Sequence, residues 1–386
     1  MTRPLLSIII PTRSRADVLA ATLATLVMLK RPDIEFVISD NASTDATEQT
    51  VRQFADARIR YVRAPSRLPM AKNFELGLQH ATGEYVTTMG DDDFIVEENL
   101  ELAIAAALEE QCELVYWHRA FFYWGSYQDS SLSGSFSLPG GRGHYAVNPH
   151  VLLGLALLGA LDYMYMPSIY NSLCKRSFLQ RYYRHLRGQY FPDYVVSMDV
   201  FSALAFSSLS PSVLFQQSPA SVSGISHHSN GMSIYTGGDE CEKFAQELGF
   251  NDGAVILPEA YKGLVRPLTN LGLSQLSVLT DYCNTVGHLL NFSYPFVPRD
   301  FMNSNMFLRR LHLEGHVEIR DDSELFARIV SLNNSEPLLR NDQLIYFFNL
   351  WSIPAPQSYA GRFDSAEANV WHLANHLATI GFNAAK

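Results

Sequence analysis

Apolar runs alternate with helix-like segments through the first third of the chain, and this alternation limits the possible folds more than any other feature. The predicted strands comprise residues 5–10, 34–39, 59–62, 85–89 and 113–117, and the predicted helices comprise residues 15–29, 46–54, 70–80 and 97–111. Continuous apolar strands separated by helices of this length are typical of a mostly parallel sheet flanked by helices. The sequence therefore predicts an α/β fold for this region.

The remaining two thirds of the chain give weaker patterns. The predicted elements there are a long surface loop or irregular hairpin (121–148), a strand (169–174), a basic helix (175–186), an apolar helix (193–207), a polar segment (218–233) and a mainly helical remainder. We expect one domain over residues 1–236, divided at residue 118, followed by a mainly helical C-terminal region at 237–386.

Composition places the chain among globular proteins. Of its 386 residues, 47% are hydrophobic and 18% are charged, which provides ample material for a core. The formal net charge of −10 argues against general nucleic-acid binding, although it is compatible with a local basic groove for an anionic substrate.

Cysteine usage and hydropathy predict a cytoplasmic protein. The four cysteines lie far apart, in a spacing that indicates neither a zinc site nor a disulfide framework. The first residues run directly into a strand pattern, so no signal peptide is expected. The longest apolar stretch, 151–166, contains Asp162 and is shorter than the roughly 20 residues that a membrane-spanning helix needs. It predicts a buried helix, and peripheral contact with the inner face of a membrane is left open.

Three consecutive carboxylates, Asp91, Asp92 and Asp93, follow the fourth predicted strand. Like charges at this spacing repel one another, and a divalent cation would compensate them because hard cations bind carboxylate oxygens. A cation held in this way can carry a diphosphate. The alternative is a solvated acidic turn in which Asp93 caps the next helix.

Other polar residues follow strand ends and are expected at the same edge of the sheet. Pro11, Thr12 and Arg13 follow the first strand, and Asp40 follows the second. Ligands of parallel α/β sheets bind beyond the carboxyl ends of the strands. The strand ends therefore predict one ligand crevice that these residues share with the acidic triplet.

These segments together resemble glycosyltransferase family 2, whose members have the GT-A nucleotide-sugar fold. The matching segments are residues 6–12 (LSIIIPT), 39–45 (SDNASTD), 71–73 (AKN), 81–85 (ATGEY) and 91–93 (DDD). Each segment is weak evidence alone, whereas their order and spacing make the resemblance specific. It extends over about residues 4–230 and is strongest over the first 100.

The resemblance implies roles for residues on the donor side. The residues expected to contact the nucleobase, the ribose or the diphosphate are Pro11, Thr12, Arg13, Asp40, Asn41 and Lys72. Asp91 and Asp93 match the metal-binding Asp-x-Asp motif of the family, with Mn²⁺ or Mg²⁺ as the ion, and Asp92 is expected to contact the donor sugar or ribose. Asn41 stands where many members carry a second acid, which leaves the choice of nucleobase open. Uridine is preferred and thymidine is second, so the donor is expected to be linked to UDP or dTDP.

The resemblance also implies a general base on the acceptor side. Asp199 lies in an apolar helical segment at the matching position, and Asp193 is the alternative. Removing one of these acids from water would favour its protonated form, as a base requires. His227 and His228 either complete a metal shell or have a structural role.

The sequence therefore predicts a metal-dependent, inverting transferase that moves one sugar from a nucleotide-diphosphate sugar to a hydroxyl of a glycan or lipid-linked glycan. The C-terminal region would shape the acceptor side or form a homo-oligomer contact. Two alternatives are a sugar-phosphate nucleotidylyltransferase and a non-catalytic glycan-binding protein on the same fold. The first usually needs a glycine-rich basic loop after the first strand, and residues 11–15 contain no glycine.

Overall fold

The structure is a computed structural model. It describes residues 3–127, 129–149, 152, 163–191, 198–227, 296–298, 318–320 and 357–379. The expected buried helix at 151–166 lies almost entirely outside these residues, as does most of the C-terminal region.

The first half of the described chain alternates strands with helices, as the sequence predicts. The elements are β1 (Leu6–Thr12), α1 (Ala16–Leu26), β2 (Ile34–Asp40), α2 (Thr47–Gln53), β3 (Ile59–Arg63), α3 (Met70–His80), β4 (Tyr85–Thr88), β5 (Phe94–Ile95), α4 (Glu97–Glu109) and β6 (Leu114–Trp117). Most bounds agree with the predicted ones to within two residues. The α/β fold class is confirmed.

The later described elements include more strands than the sequence predicts. They are β7 (Ala120–Tyr123), β8 (Ser135–Gly140), β9 (His144–Val147), β10 (Ser172–Lys175), α5 (Arg176–His185), α6 (Met198–Leu209), β11 (Val213–Gln216), β12 (Ser221–Ile225), β13 (Phe296–Pro298), β14 (Glu318–Arg320), β15 (Gln357–Arg362) and α7 (Val370–Thr379). The prediction of a surface loop at 121–148 is therefore wrong. The hairpin alternative is confirmed in part, because β7 and β8 pair in antiparallel fashion.

Eight strands form the central sheet, in the order β3-β2-β1-β4-β10-β6-β11-β9. The first four are parallel, and β10 then pairs in antiparallel fashion with both β4 and β6. In the parallel register Thr12 lies opposite Asp40, so β1 and β2 end at the same edge. Helix α1 buries Val18, Leu19, Leu23 and Leu26 at helical spacing, which covers one face of the sheet.

A second sheet of five strands has the order β15-β8-β7-β12-β5. Its outermost strand comes from the C-terminal region and pairs with β8 over its whole length. Residues from both parts of the chain share its core, which consists of Val18, Phe94, Ala120, Phe122, Trp124, Phe136, Leu138, Val222, Ala368, Val370, Leu373 and Leu377. The C-terminal strand and helix thus pack on the N-terminal fold, and a domain boundary at residue 236 stays a prediction.

Local polar contacts set the start of the first two helices. Arg15 precedes α1, and its own side chain does not cap the helix. Asp45 instead accepts hydrogen bonds from the backbone amides of Ala16 and Thr47, at 2.9 and 3.1 Å. One carboxylate therefore joins the starts of α1 and α2.

Candidate active site

The acidic triplet lies just after β4, at the edge of the central sheet where β1 also ends. Asp91, Asp92 and Asp93 are 1%, 6% and 6% exposed. A solvated acidic turn is therefore wrong, since solvent reaches little of any of the three side chains. Three buried carboxylates need compensating partners from the protein, and both sheets supply them.

Asp91 is bound mainly by residues of the β1 and α1 region. Its two oxygens contact the Thr12 hydroxyl at 2.6 Å and the Arg15 guanidinium at 2.7 Å. The Thr22 hydroxyl, inside α1, donates to the backbone carbonyls of Asp91 and Asp93. The predicted nucleotide contact Thr12 thus has a structural partner within the acidic triplet.

Asp92 connects the two sheets. One of its oxygens contacts Arg15 at 2.7 Å and accepts a hydrogen bond from the Ser226 hydroxyl, also at 2.7 Å. The backbone carbonyl of Asp92 accepts from the indole of Trp124 at 3.2 Å. Ser226 follows β12 and Trp124 follows β7, so residues distant in sequence hold this aspartate.

Asp93 accepts two backbone hydrogen bonds, from Gly90 at 2.6 Å and from Gly224 at 2.8 Å. The alternative role of Asp93 as a helix cap is wrong, because Val96 precedes α4 and no side chain caps that helix. A Cβ atom on Gly224 would lie 1.7 Å from the Asp92 carbonyl oxygen. Glycine is required there because the backbones of β12 and the triplet approach each other this closely.

Burial dominates the electrostatics of the triplet. It raises the pKa of Asp91 above its ordinary value, with the charge of Arg15 opposing this effect and that of Asp92 adding to it. Burial followed by the charge of Asp92 likewise raises the pKa of Asp93, and its two backbone donors oppose the shift. The shifts follow from like charges crowded in a poorly solvated place.

Carboxylate oxygens are suitable ligands for a divalent cation. In the described parts of the chain, no group of three His, Cys, Asp or Glu side chains is arranged to hold a metal ion. The chemistry of the carboxylates suits a cation, whereas their arrangement does not form a three-ligand group, so cation binding by Asp91 and Asp93 stays a prediction.

Asp40, at the end of β2, is completely buried. One of its oxygens accepts from the backbone amide of Ser43 at 2.9 Å and from the Ser43 hydroxyl, and the other accepts from the Tyr61 hydroxyl. These contacts order the turn after β2. Contact between Asp40 and a nucleotide stays a prediction.

Asn41 pairs with the loop that leads into α3. Its side-chain amide donates to the Leu68 carbonyl at 2.8 Å and accepts from the Leu68 amide at 2.7 Å. A carboxylate at this position would lack the donor for the first of these bonds, which gives a physical reason for the amide. A role in base recognition stays a prediction.

The predicted cationic contacts lie around the same edge. The positive charge of Arg13 helps to lower the pKa of Arg67, after burial, which shows that these two guanidinium groups lie close together. Lys72 lies in the first turn of α3 and forms an ion pair with Glu75 at 3.3 Å. Pro11 is partly exposed at the end of β1. Arg13, Arg67 and Lys72 thus supply positive charge near the strand ends.

The proposed base Asp199 lies in the first turn of α6. Its surroundings are more polar than the sequence predicts. Its carboxylate forms an ion pair with Arg119 at 3.2 Å. The guanidinium of Arg119 also lies 5.6 Å from the ring centroid of Tyr163 and 5.5 Å from that of Tyr170. The expectation of an apolar environment is thus corrected, while the role of Asp199 as a base stays a prediction.

Tyr170 connects Asp199 with the acidic triplet. Burial raises the pKa of its hydroxyl well above the ordinary value, and the charges of Asp199, Asp93 and Asp92 add to this effect. These acids therefore all favour the protonated form of the Tyr170 hydroxyl. The shared role of Asp199 and the triplet in one site stays a prediction.

The histidine and aspartate alternatives are only partly described. His227 contacts Ser126 at 3.0 Å and Asp17 at 3.7 Å, and its side chain is 35% exposed. These contacts favour its structural role. His228 and Asp193 lie outside the described residues.

Several site residues were missed by the sequence analysis. Arg15 and Ser226 bind the triplet, Arg119 binds Asp199, and Glu75 accepts hydrogen bonds from the backbone of Tyr190 and Phe191. Only Arg15 had a sequence signal, because it lies close to a strand end that was already assigned to the crevice. The other contacts depend on long-range pairing.

Comparison with known proteins finds a family match in the region that contains the acidic edge. Residues 7–156 match the family model described as "Glycosyl transferase family 2". This match confirms the resemblance that the sequence motifs predict.

Individual relatives match a smaller segment. The chain is 24% identical over 138 residues to the UDP-Glc:alpha-D-GlcNAc-diphosphoundecaprenol beta-1,3-glucosyltransferase WfgD of Escherichia coli, covering 35% of this chain and 51% of that protein. It is 32% identical over 109 residues to the GalNAc(5)-diNAcBac-PP-undecaprenol beta-1,3-glucosyltransferase of Campylobacter jejuni, covering 28% of this chain and 35% of that protein. The chain thus spans about half or less of the length of these relatives.

Among solved structures, the chain is similar to residues 1–349 of TarS from S. aureus. The sequence identity is 16% and the TM-score is 0.44, with 87% of this chain and 93% of that chain covered.

Within the described residues, no helix has the length and apolar character needed to cross a membrane.

Proposed function

We propose that this chain is a glycosyltransferase that moves one sugar from a nucleotide-diphosphate sugar to a hydroxyl of a glycan or lipid-linked glycan. One observation carries the proposal: a buried acidic triplet lies where β1 and β4 end, and a second acid, Asp199, is held by Arg119, which packs on the ring of Tyr170. A donor-binding edge and a second, separate acid are what a transfer between two substrates requires.

The donor nucleotide would lie along the carboxyl edge of the parallel strands. Pro11, Thr12 and Arg13 border this edge at β1, and Asp40 and Asn41 border it at β2. Positive charge from Arg13 and Lys72 supports binding of the diphosphate. A UDP-linked donor is preferred over a dTDP-linked one, and the name of the E. coli relative, which includes UDP-Glc, supports this order.

A divalent cation, Mn²⁺ or Mg²⁺, would be held by Asp91 and Asp93, while Asp92 contacts the donor sugar or ribose. When bound, such an ion stabilises the negative charge that develops on a departing diphosphate. The protein itself contributes a dry, preorganised site, because all three carboxylates are buried. Thr12 and Arg15 hold Asp91, Arg15 also holds Asp92, and two backbone amides hold Asp93.

On the acceptor side, Asp199 would take the proton of the acceptor hydroxyl. The acceptor oxygen then forms a bond to the anomeric carbon as the bond from that carbon to the diphosphate oxygen breaks, which inverts the anomeric configuration. Arg119 orients the Asp199 carboxylate through their contact at 3.2 Å, and two tyrosine rings hold the guanidinium. The ion pair thus supports the proposal by fixing the position of the Asp199 carboxylate.

The acceptor would be a glycan hydroxyl, and the names of two relatives favour a lipid-linked one because both include a diphosphoundecaprenol-type group. Such an acceptor would place the protein at the inner face of a membrane as a peripheral, cytoplasmic enzyme. A homo-oligomer through the C-terminal region is compatible with this location.

The proposal is tested by incubating the protein with UDP-, dTDP- and GDP-linked sugars and Mn²⁺ and measuring the nucleoside diphosphate that is released. We expect slow release from at least one UDP- or dTDP-linked sugar, and its loss in Asp93→Asn. Asp33→Asn is the matched control, since Asp33 is a partly exposed acid at the opposite end of β2.

Two other results would overturn the proposal. Exchange of pyrophosphate into a nucleotide sugar would indicate a nucleotidylyltransferase. Absence of any thermal shift with the three nucleoside diphosphates, with binding of glycans retained, would indicate a glycan-binding protein.

A further inference from the structure

Arg15 bridges two members of the acidic triplet with separate nitrogens. One terminal nitrogen lies 2.7 Å from an Asp91 oxygen, and the other lies 2.7 Å from an Asp92 oxygen. The side chain of Arg15 is 16% exposed. A planar guanidinium suits this task because its donors have a fixed geometry that a flexible ammonium lacks.

Both sheets hold the guanidinium in place. Arg15 lies between β1 and α1, beside the central sheet, whereas Ser226 follows β12 of the second sheet. The Ser226 hydroxyl accepts from Arg15 at 3.0 Å and donates to Asp92 at 2.7 Å. Arg15 is thus part of a closed network with Asp92 and Ser226, which fixes its charge beside the carboxylates.

We infer that Arg15 is the resident counter-cation of the acidic triplet, and that a divalent cation must compete with it for Asp91, which Arg15 contacts and which belongs to the proposed metal site. This inference rests on the proposed function, because the triplet must bind a cation for the competition to matter. Arg15 is a positioning residue in this scheme, since it acts on the cation through the carboxylates.

The competition has a consequence for the order of binding. A guanidinium stays charged at every accessible pH, so it repels a second cation at the triplet under all assay conditions. A nucleoside diphosphate brings negative charge that attracts the cation in spite of Arg15. The cation is therefore expected to bind weakly alone and tightly together with the nucleotide, which couples the two binding events.

Calorimetric titration with Mn²⁺ alone tests this inference. In Arg15→Gln, which keeps an amide donor but no charge, we expect Mn²⁺ to bind about tenfold or more tightly than in the unaltered protein, as removal of a neighbouring charge predicts. In Arg15→Lys, whose ammonium is a single point charge, we expect a smaller increase of about threefold. Arg31→Met is the matched control, because Arg31 binds Asp33 and Glu101 away from the triplet.

A second titration with Mn²⁺ in the presence of UDP separates the possible failures. Tight binding with UDP in the unaltered protein, but no gain in Mn²⁺ affinity in either Arg15 variant, would overturn the role of Arg15 and leave the proposed function intact. Absence of Mn²⁺ binding in every variant, with and without UDP, would overturn the metal part of the proposed function and this inference with it. If Arg15→Gln does not fold, as judged by circular dichroism, an unchanged affinity in Arg15→Lys overturns the inference alone.

Discussion

The two sheets of this protein differ in how far apart in sequence their neighbouring strands lie. In the parallel half of the central sheet, β3, β2, β1 and β4 come from one short stretch in which each strand is followed by a helix. In the second sheet Gln357, at the start of β15, lies opposite Gly140 at the end of β8. Local alternation thus builds the first region, whereas long-range pairing builds the second.

The candidate site lies where the two regions meet. Thr12 and Thr22, from the first region, contact Asp91 and its backbone. Gly224, Ser226 and Trp124, from the second region, contact Asp93 and Asp92. The parallel strands therefore position the carboxylates, and the second sheet supplies several of the hydrogen-bond donors that stabilise the buried acidic segment.

Asp199→Asn should give the largest effect and separate donor binding from chemistry. We expect transfer to fall by a factor of about 10² to 10⁴, the usual contribution of a positioned base, because asparagine cannot accept the proton. Donor affinity should be unchanged, since the proposed donor site lies at the ends of the parallel strands and does not include Asp199. Steady-state transfer and calorimetric titration of the nucleotide measure the two quantities.

The Asp33→Asn variant is again the matched control, with transfer expected to be normal. Near-normal transfer in Asp199→Asn would assign the base to Asp193 or remove it from the mechanism. Weakened donor binding in the same variant would mean that Asp199 also contributes to donor binding, so donor binding and the chemical step are not separate.

The elements of the first region could be predicted because each carries its own signal. Strand β1 is a continuous apolar run, and α1 places Val18, Leu19, Leu23 and Leu26 on one face. The positions of the triplet, Thr12 and Asp40 followed from the same rule, since parallel strands end at one edge.

The partners of the triplet could not be predicted in this way. Ser226 meets Asp92 across a large separation in sequence, and the short strand that precedes it, Ser221–Ile225, is polar enough to be mistaken for a loop. Arg119 pairs with Asp199 for the same reason of tertiary proximity. The position of a polar side chain in the sequence gives no periodic pattern from which its hydrogen-bond partner could be predicted.

Leu373→Ala tests whether the C-terminal helix α7 belongs to the second region. Leu373 is fully buried in a core that includes Val18 of α1 and Phe136 of β8. Truncation should lower the free energy of unfolding by about 2–5 kcal/mol, because it removes buried methyl groups and leaves a cavity. Urea denaturation followed by fluorescence measures this change.

The control is Leu102→Ala in α4, where the leucine is 43% exposed. It should change the free energy of unfolding by no more than about 0.5 kcal/mol. An equally small change in Leu373→Ala would show that α7 contributes little to the fold and that the C-terminal region is independent, as a boundary at residue 236 implies.

Gly224→Ala should give the smallest effect on stability, and it tests the junction of the two regions directly. A Cβ atom there would lie 1.7 Å from the Asp92 carbonyl oxygen and 2.7 Å from the indole nitrogen of Trp124, so the backbones must separate. We expect a loss of about 1–3 kcal/mol in the free energy of unfolding, the usual cost of overpacking. Ser223→Ala is the matched control in the same strand, because it removes a hydroxyl without adding an atom.

Separation of the two backbones in Gly224→Ala would also weaken the hydrogen bond from Gly224 to Asp93. Nucleoside diphosphate binding with Mn²⁺ should therefore weaken in Gly224→Ala and not in Ser223→Ala. Unchanged diphosphate binding in a destabilised Gly224→Ala variant would show that the second sheet supports the fold without shaping the site.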